Sequence, residues 1–279
     1  MHLPEWFKVK ISGIHRTKNL LRKYSLYSVC EEARCPNKSR CFSLPTATFL
    51  ILGDTCTRNC AFCSVKSGNP DGVDFQETER IVKAAGHLGL RYIVITSVTR
   101  DDLSDGGAFH FADTIKAIKN NLPGVRVEVL TPDFGGNVNS LKSVLDAMPD
   151  VFNHNIETVK RLYNKVRPQA DYERSINVLK NAKHIAPDIK TKSGLMLGFG
   201  ETFDEVTMVL KDLRNAGCNF LTIGQYLRPS RKNIPVVEYI KPDEFERLRK
   251  EALSIGFDYV ASGPLVRSSM NAHEAYNFG

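Results

Sequence analysis

The chain alternates short apolar runs, rich in β-branched residues, with segments whose apolar residues recur at helical spacing. The apolar runs predict strands, because β-branched side chains pack well on a pleated sheet. The predicted strands are residues 47–52, 92–96, 125–130, 151–155, 189–197, 220–223 and 259–261. Between the first two strands, Ile81, Val82, Ala85 and Leu88 share one helix face. Strands separated by helices predict βαβ units and a parallel sheet.

The fold class follows from the number of these units. Right-handed crossovers curl a parallel sheet toward a barrel. Six βα units precede residue 226, fewer than the eight of a closed barrel. We therefore predict an α/β protein with an open, partial (β/α)6 TIM-like barrel over residues 45–225. Residues 1–44 and 226–279 do not fit the repeat and are expected to be extensions of the same structural unit.

Composition and hydropathy narrow the class of protein. Of 279 residues, 42% are hydrophobic and 25% charged, which is ordinary for a globular chain. The longest apolar run is about six residues, far short of the roughly 20 that a membrane-spanning helix needs. Because no continuous apolar segment is found near the N-terminus, we expect no secretory signal and a cytoplasmic location.

The charge balance is basic, with a net charge of +7. Cations gather within residues 8–23 and again at Arg228, Arg231 and Lys232. A solvated surface explains them, and so does an acidic protein partner, since opposite potentials steer encounter. No basic stripe with interleaved aromatic residues indicates nucleic acid.

Seven cysteines are the most informative residues. Six lie between Cys30 and Cys63, and Cys218 stands alone. An odd number without an export signal favours metal ligation in a reducing compartment over disulfides. For Cys218 we predict the role of a small buried hydrophobe.

One cysteine triplet, Cys56, Cys60 and Cys63, directly follows the first barrel strand. Three thiolates on one loop can hold three irons of a 4Fe–4S cube, because such clusters select soft ligands. The fourth iron then stays open to the amino and carboxylate groups of a methionine moiety. Structural zinc prefers four ligands, usually as two separated pairs. The spacing, with an aromatic residue before the last cysteine, resembles the signature of the radical S-adenosylmethionine (SAM) superfamily.

The other triplet is Cys30, Cys35 and Cys41, in the N-terminal extension. Pro36 and the charged residues around it favour an irregular loop. A zinc knuckle would need a histidine or a fourth cysteine at short spacing, so we predict a second cluster with its fourth ligand from elsewhere. From the residues alone, this cluster has three open roles: relaying electrons, binding substrate, or giving up its sulfide.

Polar residues at strand ends are candidates for the SAM site, because active sites of parallel barrels lie at the carboxyl ends of the strands. Asn153, Asn155 and Glu157 alternate and are expected to point to one face, with Asn155 and Glu157 holding ribose or methionine groups. A polar cap on a strand end is the alternative. His154 alternates away from them and is predicted to be a satisfied core or rim histidine.

Three further residues complete the predicted SAM site. Gly198, in the pattern Gly194-x3-Gly198-x2-Glu201, resembles the glycine-containing strand on which radical SAM enzymes place adenine, although a simple turn explains the pattern equally well. Ser97 follows the second strand and is placed at the methionine end. Arg167 is a partner for the methionine carboxylate or an anchor of its loop.

Longer segments make the resemblance more specific, and the chain is similar to the lipoyl synthase family from the first cysteine triplet almost to its C-terminus. The matching segments are residues 46–49, 51–54, 96–103, 105–107, 151–158, 166–168, 191–198, 221–226 and 261–269. The chain departs from the family pattern at Phe42, Pro45 and Met270, none of which is an expected ligand.

The resemblance implies a reaction, cofactors and partners. It implies a sulfurtransferase that uses two 4Fe–4S clusters and SAM to insert two sulfur atoms at carbons 6 and 8 of a protein-bound octanoyl chain. The auxiliary cluster at Cys30, Cys35 and Cys41 is the implied sulfur donor, with Ser268 as its fourth ligand. Implied partners are octanoylated lipoyl-carrier domains, namely 2-oxoacid dehydrogenase acyltransferase subunits and the glycine cleavage H protein, and a donor such as ferredoxin or flavodoxin.

Alternatives to this function come from two other classes. The first is another sulfur-inserting radical SAM enzyme, and the second is a non-catalytic zinc-binding module. We expect a monomer that binds neither nucleic acid nor membrane.

Overall fold

A computed structural model of the chain describes residues 4–7, 15–42, 46–270 and 272–277. The strands are β1 (Tyr27–Ser28), β2 (Thr46–Ile51), β3 (Thr55–Cys56), β4 (Lys66–Ser67), β5 (Tyr92–Ser97), β6 (Arg126–Leu130), β7 (Val151–Asn153), β8 (Lys190–Leu197), β9 (Phe220–Gln225) and β10 (Tyr259–Gly263). The helices are α1 (His15–Lys23), α2 (Val29–Glu32), α3 (Lys38–Cys41), α4 (Glu77–Leu88), α5 (Ala108–Asn121), α6 (Val138–Asp146), α7 (Tyr163–Val166), α8 (Tyr172–Ile185), α9 (Phe203–Asn215), α10 (Pro242–Ile255) and α11 (Ala272–Asn277).

One eight-stranded sheet organises the molecule, in the order β1-β2-β5-β6-β7-β8-β9-β10. All neighbours from β2 to β10 are parallel, and only the short β1 pairs antiparallel with β2. Within the described ranges, no pairing joins β1 to β10, so the sheet is an open one. The predicted α/β class and the partial TIM-like barrel are confirmed.

The C-terminal region contributes more to the sheet than its description as an extension suggests. After β9, helix α10 begins with Pro242 and ends at Gly256, whose φ of 106° is favourable for glycine. The chain then enters β10, which pairs in parallel with β9. A seventh parallel strand therefore lies within residues 226–279. The first predicted domain boundary, at 44/45, lies outside the described residues. The division into 1–44, 45–225 and 226–279 therefore stays a prediction. Part of the basic group 8–23 also lies outside the described residues.

The two faces of the sheet bury different partners. Ile93 and Ile95 of β5 belong to the main core with Ile81 of α4 and Ile115 of α5. The alternating residues of β5 face the barrel interior, where Tyr92 and Val94 pack on Ala272 of α11. Helix α11 therefore fills part of the interior of the open barrel.

A buried ion pair lies on the same interior face. Lys192 Nζ is 2.9 and 3.2 Å from the two carboxylate oxygens of Glu128. The Tyr92 hydroxyl and the Asn153 side-chain amide also donate to this carboxylate, at 2.8 and 3.1 Å. Because Glu128 and Lys192 are 0% and 1% exposed, each charge depends on the other for its stability.

Removing the cation alone should destabilise the fold. We expect Lys192→Met to lower the free energy of unfolding by about 3–5 kcal/mol, since it leaves Glu128 buried without a counter-charge. The double variant Lys192→Met/Glu128→Gln should recover most of this loss, because it removes both charges and keeps an acceptor for Tyr92. Anaerobic urea unfolding measures the free energy of unfolding of both variants. A Lys192→Met variant as stable as the parent would contradict a stabilising role for the ion pair.

Candidate active site

The triplet Cys56, Cys60 and Cys63 lies on a loop, here called the cluster loop (residues 56–63), at the carboxyl edge of β2. Strands β3 and β4 pair on either side of it and bring its two ends together. Two backbone amides, those of Arg58 and Thr99, donate to Cys56 Sγ at 3.4 and 3.3 Å. The loop is therefore held at the predicted edge of the barrel by the segment that follows β5.

The electrostatics of these thiols fit a cluster. The pKa of Cys63 is raised to about 12, chiefly by burial and in part by the neighbouring Cys60 and Cys56. Burial also raises the pKa of Cys60, with Cys56 adding to the rise and Arg167 opposing it. The three thiols thus lie close enough to repel one another as thiolates, and a bound cationic cluster removes that repulsion.

A site for one metal ion would need several ligand side chains to converge on a single point. Across the described parts of the chain, no three His, Cys, Asp or Glu side chains are arranged to bind one metal ion together. A 4Fe–4S cube takes one thiolate per iron, so its ligands do not converge on one point.

An ion-pair network that the sequence reasoning missed anchors the cluster loop. Arg58 donates to both carboxylate oxygens of Asp101 at 2.7 and 2.8 Å, and to both of Asp133 at 3.0 and 2.7 Å. Burial alone would raise the pKa of Asp133, but hydrogen bonds from Arg58 and its charge hold that pKa well below the usual range. A charged residue inside the cysteine motif was the only sequence signal for this network.

Several predicted SAM residues carry a buried polar atom without a partner. These atoms are Ser97 Oγ, Asn155 Oδ1 and Arg167 Nε. Buried polar groups are nearly always hydrogen-bonded, so three orphans in one region fit a polar ligand. The Asn155 side-chain NH2 group donates to Glu157 at 3.1 Å, which leaves the side-chain oxygen Oδ1 of Asn155 as the free acceptor.

Arg167 connects this region to the cluster loop. Its Nη1 donates to the backbone carbonyl of Asn155 at 3.1 Å and to the Tyr163 hydroxyl at 3.0 Å. The preceding residue, Val166, accepts a hydrogen bond from the Ala61 amide at 2.9 Å. The structure therefore brings Arg167, Asn155 and the cluster loop together, and both roles considered for Arg167 stay predictions.

Asn155 and Glu157 lie beyond the regular part of their strand. Strand β7 ends at Asn153, and Glu157 has a left-handed φ of 66° before it bridges to Leu195 of β8. The segment stays attached to β8, since the Glu157 amide donates to the Gly194 carbonyl at 2.9 Å. The Asn155 and Glu157 side chains are in contact, and the expectation that they share one face with Asn153 stays a prediction. Burial raises the pKa of Glu157, and the charge of Arg167 opposes the rise.

His154 is buried as predicted but is only half satisfied. Its Nδ1 lies 2.9 Å from the Thr131 carbonyl, which makes this nitrogen the donor, and Nε2 has no partner. The pKa of His154 is lowered to about 4, chiefly by burial and in part by the positive charge of the nearby Arg167. The imidazole is therefore neutral at pH 7.

Gly198 has a structural reason for being glycine. Its φ is 108°, and a Cβ atom there would collide with Gln225 Nε2 and with the Glu238 carbonyl oxygen. The Gly198 amide donates to the Glu201 carboxylate at 2.5 Å. The protein's own packing explains this glycine, and its predicted contact with adenine is not tested.

The second triplet lies on two short helical turns instead of the irregular loop that was predicted. Cys30 is in α2, Cys41 ends α3, and Cys35 lies between them. The Cys35 amide donates to the Cys30 carbonyl at 3.1 Å, which continues the turn of α2. The pKa of Cys30 is raised to about 12, chiefly by burial and in part by Cys35 and Cys41, so these three thiols are also neighbours.

The C-terminal segment closes this second site. The Asn37 amide donates to the Leu265 carbonyl at 2.5 Å and contacts Met270 Sδ at 3.2 Å. Gly224 of β9 permits this approach, because a Cβ atom there would collide with the Val266 carbonyl oxygen.

Ser269 lines a cavity together with two cysteines of the second triplet. A small cavity is lined by Cys30, Cys41, Ser269 and residues of β2, β5 and α11. Ser268, which the family resemblance selected, is not among its lining residues. Adjacent residues of an extended segment point in different directions, so the two serines are rival fourth ligands.

Comparisons with known proteins agree with this geometry. The model of the radical SAM superfamily matches residues 50–224. The open barrel with a cysteine triplet after its first parallel strand is the arrangement of a radical SAM enzyme.

A lipoyl synthase of Caldanaerobacter subterraneus subsp. tengcongensis is 55% identical over 271 residues, covering 96% of this chain and 95% of the relative. A lipoyl synthase of Alkaliphilus metalliredigens is 53% identical over 275 residues, covering 98% of this chain and 95% of the relative. The chain belongs to the lipoyl synthase family.

Solved structures support the fold. Methylornithine synthase (PylB) superposes with a TM-score of 0.58 at 14% identity, over 95% of this chain and 88% of that one. Streptococcus suis SuiB superposes with a TM-score of 0.61 at 11% identity, over 89% of this chain and 52% of that one.

Family membership confirms several predictions. The protein is a sulfurtransferase of the radical SAM superfamily, it uses SAM and iron–sulfur clusters, and two 4Fe–4S clusters are the family norm. The alternatives of a different sulfur-inserting enzyme and of a zinc-binding module are set aside. In the described parts of the chain, no helix is long and apolar enough to cross a membrane.

The Arg58 network generates a pH-dependent prediction. Asp133→Asn should lower the free energy of unfolding at pH 7 by about 1.5–3 kcal/mol, the worth of a charge-assisted hydrogen bond. Because the folded-state pKa of Asp133 is depressed, its contribution is full above the unfolded pKa of about 3.9 and is lost as pH falls below it. Urea unfolding at pH 7 and at lower pH should therefore show the gap between variant and parent closing, and a gap independent of pH would contradict the assignment.

Proposed function

We propose that Cys56, Cys60 and Cys63 bind the cluster that cleaves SAM, and that Cys30, Cys35 and Cys41 bind the auxiliary cluster. The grouping of the six thiols into two mutually repelling sets, each against the same barrel, is the observation that supports this assignment. When bound, the first cluster supplies the electron for SAM cleavage and the second supplies sulfur. The chain's own residues position the ligands and exclude water.

For SAM we propose a site between the cluster loop and the ends of β5, β7 and β8. Ser97, Asn155 and Arg167 offer buried atoms that lack partners, and Glu157 lies against Asn155. An adenine contact at Gly198 stays part of the proposal. His154 is neutral at pH 7 and therefore adds no positive charge beside the sulfonium of SAM.

For the fourth ligand of the auxiliary cluster, the family resemblance and the structure favour different serines. The resemblance selects Ser268, whereas the cavity shared with Cys30 and Cys41 favours Ser269. A serine oxygen is a harder ligand than a thiolate and binds iron less tightly. Such a ligand suits a cluster that must open to release sulfide.

The substrate and partners complete the proposal. Lipoyl domains carrying an octanoyl group are the proposed substrates, on acyltransferase subunits or the H protein, with sulfur inserted at carbons 6 and 8. A cytoplasmic location, a monomeric state and a ferredoxin or flavodoxin donor belong to the same proposal.

The two triplets should separate genetically. Cys56→Ala should abolish reductive cleavage of SAM, because the cluster with the open iron loses a ligand. Cys35→Ala should leave 5′-deoxyadenosine formation measurable while no sulfur reaches the substrate. Anaerobic assays of 5′-deoxyadenosine and lipoyl product test this, and robust lipoyl product from Cys35→Ala would rule out the auxiliary role.

Matched alanine variants decide between the two serines. We expect the variant that removes the ligand to cleave SAM and lose sulfur transfer at least about tenfold, since even losing a residue that only supports a metal ligand typically costs about 10–100-fold in affinity or activity. The other variant should stay near wild type. On the cavity evidence the sensitive variant is Ser269→Ala, and selective loss from Ser268→Ala would instead support the family-based choice. Equal retention of activity in both variants would show that neither serine is the ligand.

A further inference from the structure

The segment after β9 lies against the cluster loop. The Asn233 side-chain amide donates to the Cys63 carbonyl at 2.6 Å and to the Ala61 carbonyl at 3.3 Å. The Ile234 amide also donates to Ala61, at 3.0 Å. The Tyr226 hydroxyl in turn donates to the Ile234 carbonyl at 2.8 Å. Residues 226–234 are therefore fixed to the backbone that carries Cys60 and Cys63.

This segment presents exposed cations to solvent. Arg228, Arg231 and Lys232 are all exposed. The Arg228 guanidinium donates to the backbone carbonyls of Asn233 and Arg231, so its position is fixed while its charge stays unneutralised. In the described structure, none of the three forms an ion pair with a carboxylate.

Two more exposed cations flank the same loop. Lys165 precedes Val166, whose carbonyl accepts from the Ala61 amide at 2.9 Å. Lys66 follows Cys63 by three residues and is also exposed. Together, Lys66, Lys165, Arg228, Arg231 and Lys232 form what we call the basic rim.

The rim gathers unpaired cations on adjoining segments. Some exposed cations elsewhere, such as Lys83 and Lys142, are paired with Glu79 and Asp146 on the same helix, and others, such as Lys180 and Lys211, lie singly on separate helices. In the described structure, no rim cation forms an ion pair with a carboxylate, so the rim presents a local excess of positive charge. An acidic surface docked on the rim would supply the missing counter-charge.

We propose that the basic rim is the docking surface for an acidic one-electron donor protein. The inference rests on the proposed function of Cys56, Cys60 and Cys63, because each SAM cleavage consumes one external electron. One electron and one SAM give methionine and a 5′-deoxyadenosyl radical, and the donor is left oxidised by one electron. The donor must approach the radical-generating cluster closely, and every rim residue lies on a segment that belongs to or contacts the backbone around Cys60 and Cys63.

The rim fits an electron donor better than a lipoyl-carrier domain. The octanoyl-lysyl arm of a carrier is long and flexible, so the body of the carrier need not contact the cluster loop. An electron donor has no such arm, and its cofactor approaches only as closely as its protein surface allows.

Charge reversal on the rim tests the proposal in the complete, cluster-loaded enzyme. The test variant is Arg231→Glu/Lys232→Glu, which leaves the Arg228 contacts to backbone carbonyls available. The matched control is Lys180→Glu/Lys211→Glu, which makes the same charge change at exposed positions of α8 and α9. The measurement is the initial rate of 5′-deoxyadenosine formation with limiting reduced flavodoxin at low ionic strength.

We expect the rim variant to lose about tenfold or more of this rate, and the control to change by less than about twofold, since steering accounts for factors of 10 or more in association. Added salt should slow the parent and have little effect on the rim variant, because it screens exposed charges beyond roughly 8–10 Å. Equal rates for the rim variant and the control with flavodoxin would overturn the proposal.

Dithionite in place of flavodoxin separates the docking surface from the chemistry. With dithionite and an octanoyl-lysyl peptide, both double variants should cleave SAM within about twofold of the parent. Loss of cleavage with dithionite as well would show that the rim acts on the site itself and not on docking. A defect that appears only with an octanoylated carrier domain under dithionite would assign the rim to the substrate protein and overturn the donor assignment.

Discussion

Arg58 holds the reactive part of the molecule together. It lies inside the cysteine motif and binds Asp101, which follows β5, and Asp133, which follows β6. Asp133 is buried, so the guanidinium and the carboxylate stabilise each other in a region where neither would be stable alone. The cluster loop contains little regular structure of its own, and this pairing ties it to two strands of the barrel.

The barrel explains why the loop is placed where the other candidate residues converge. Parallel strands end at one edge of the sheet, and the segments after β2, β5, β6 and β7 all reach that edge. Hydrogen bonds from Arg167 to Asn155 and from the Ala61 amide to Val166 then join these segments. The order of the parallel strands therefore brings these segments to one edge, and hydrogen bonds between the segments form the site.

Much of this arrangement was predictable because it follows from periodicity and spacing. The parallel strands began and ended close to the predicted residues, since their β-branched runs are buried on both faces. The features that were missed depend on contacts between distant residues. The Arg58–Asp133 pair spans 75 positions, and the contact of Asn37, beside the second triplet, with Leu265 spans 228. The choice between Ser268 and Ser269 likewise depends on tertiary placement, which adjacent identical residues do not reveal.

The contact between Asn37 and Leu265 also constrains how the protein matures. It joins residues 228 positions apart, so the second triplet is enclosed only after the segment around Leu265 has been synthesised and folded against it. Cys30, Cys35 and Cys41 therefore leave the ribosome well before the segment that covers them. Until that segment folds, these thiols are open to solvent and oxidants, and a cluster delivered early lacks part of its cover. Stable loading of the auxiliary site therefore requires the segment around Leu265 to be in place.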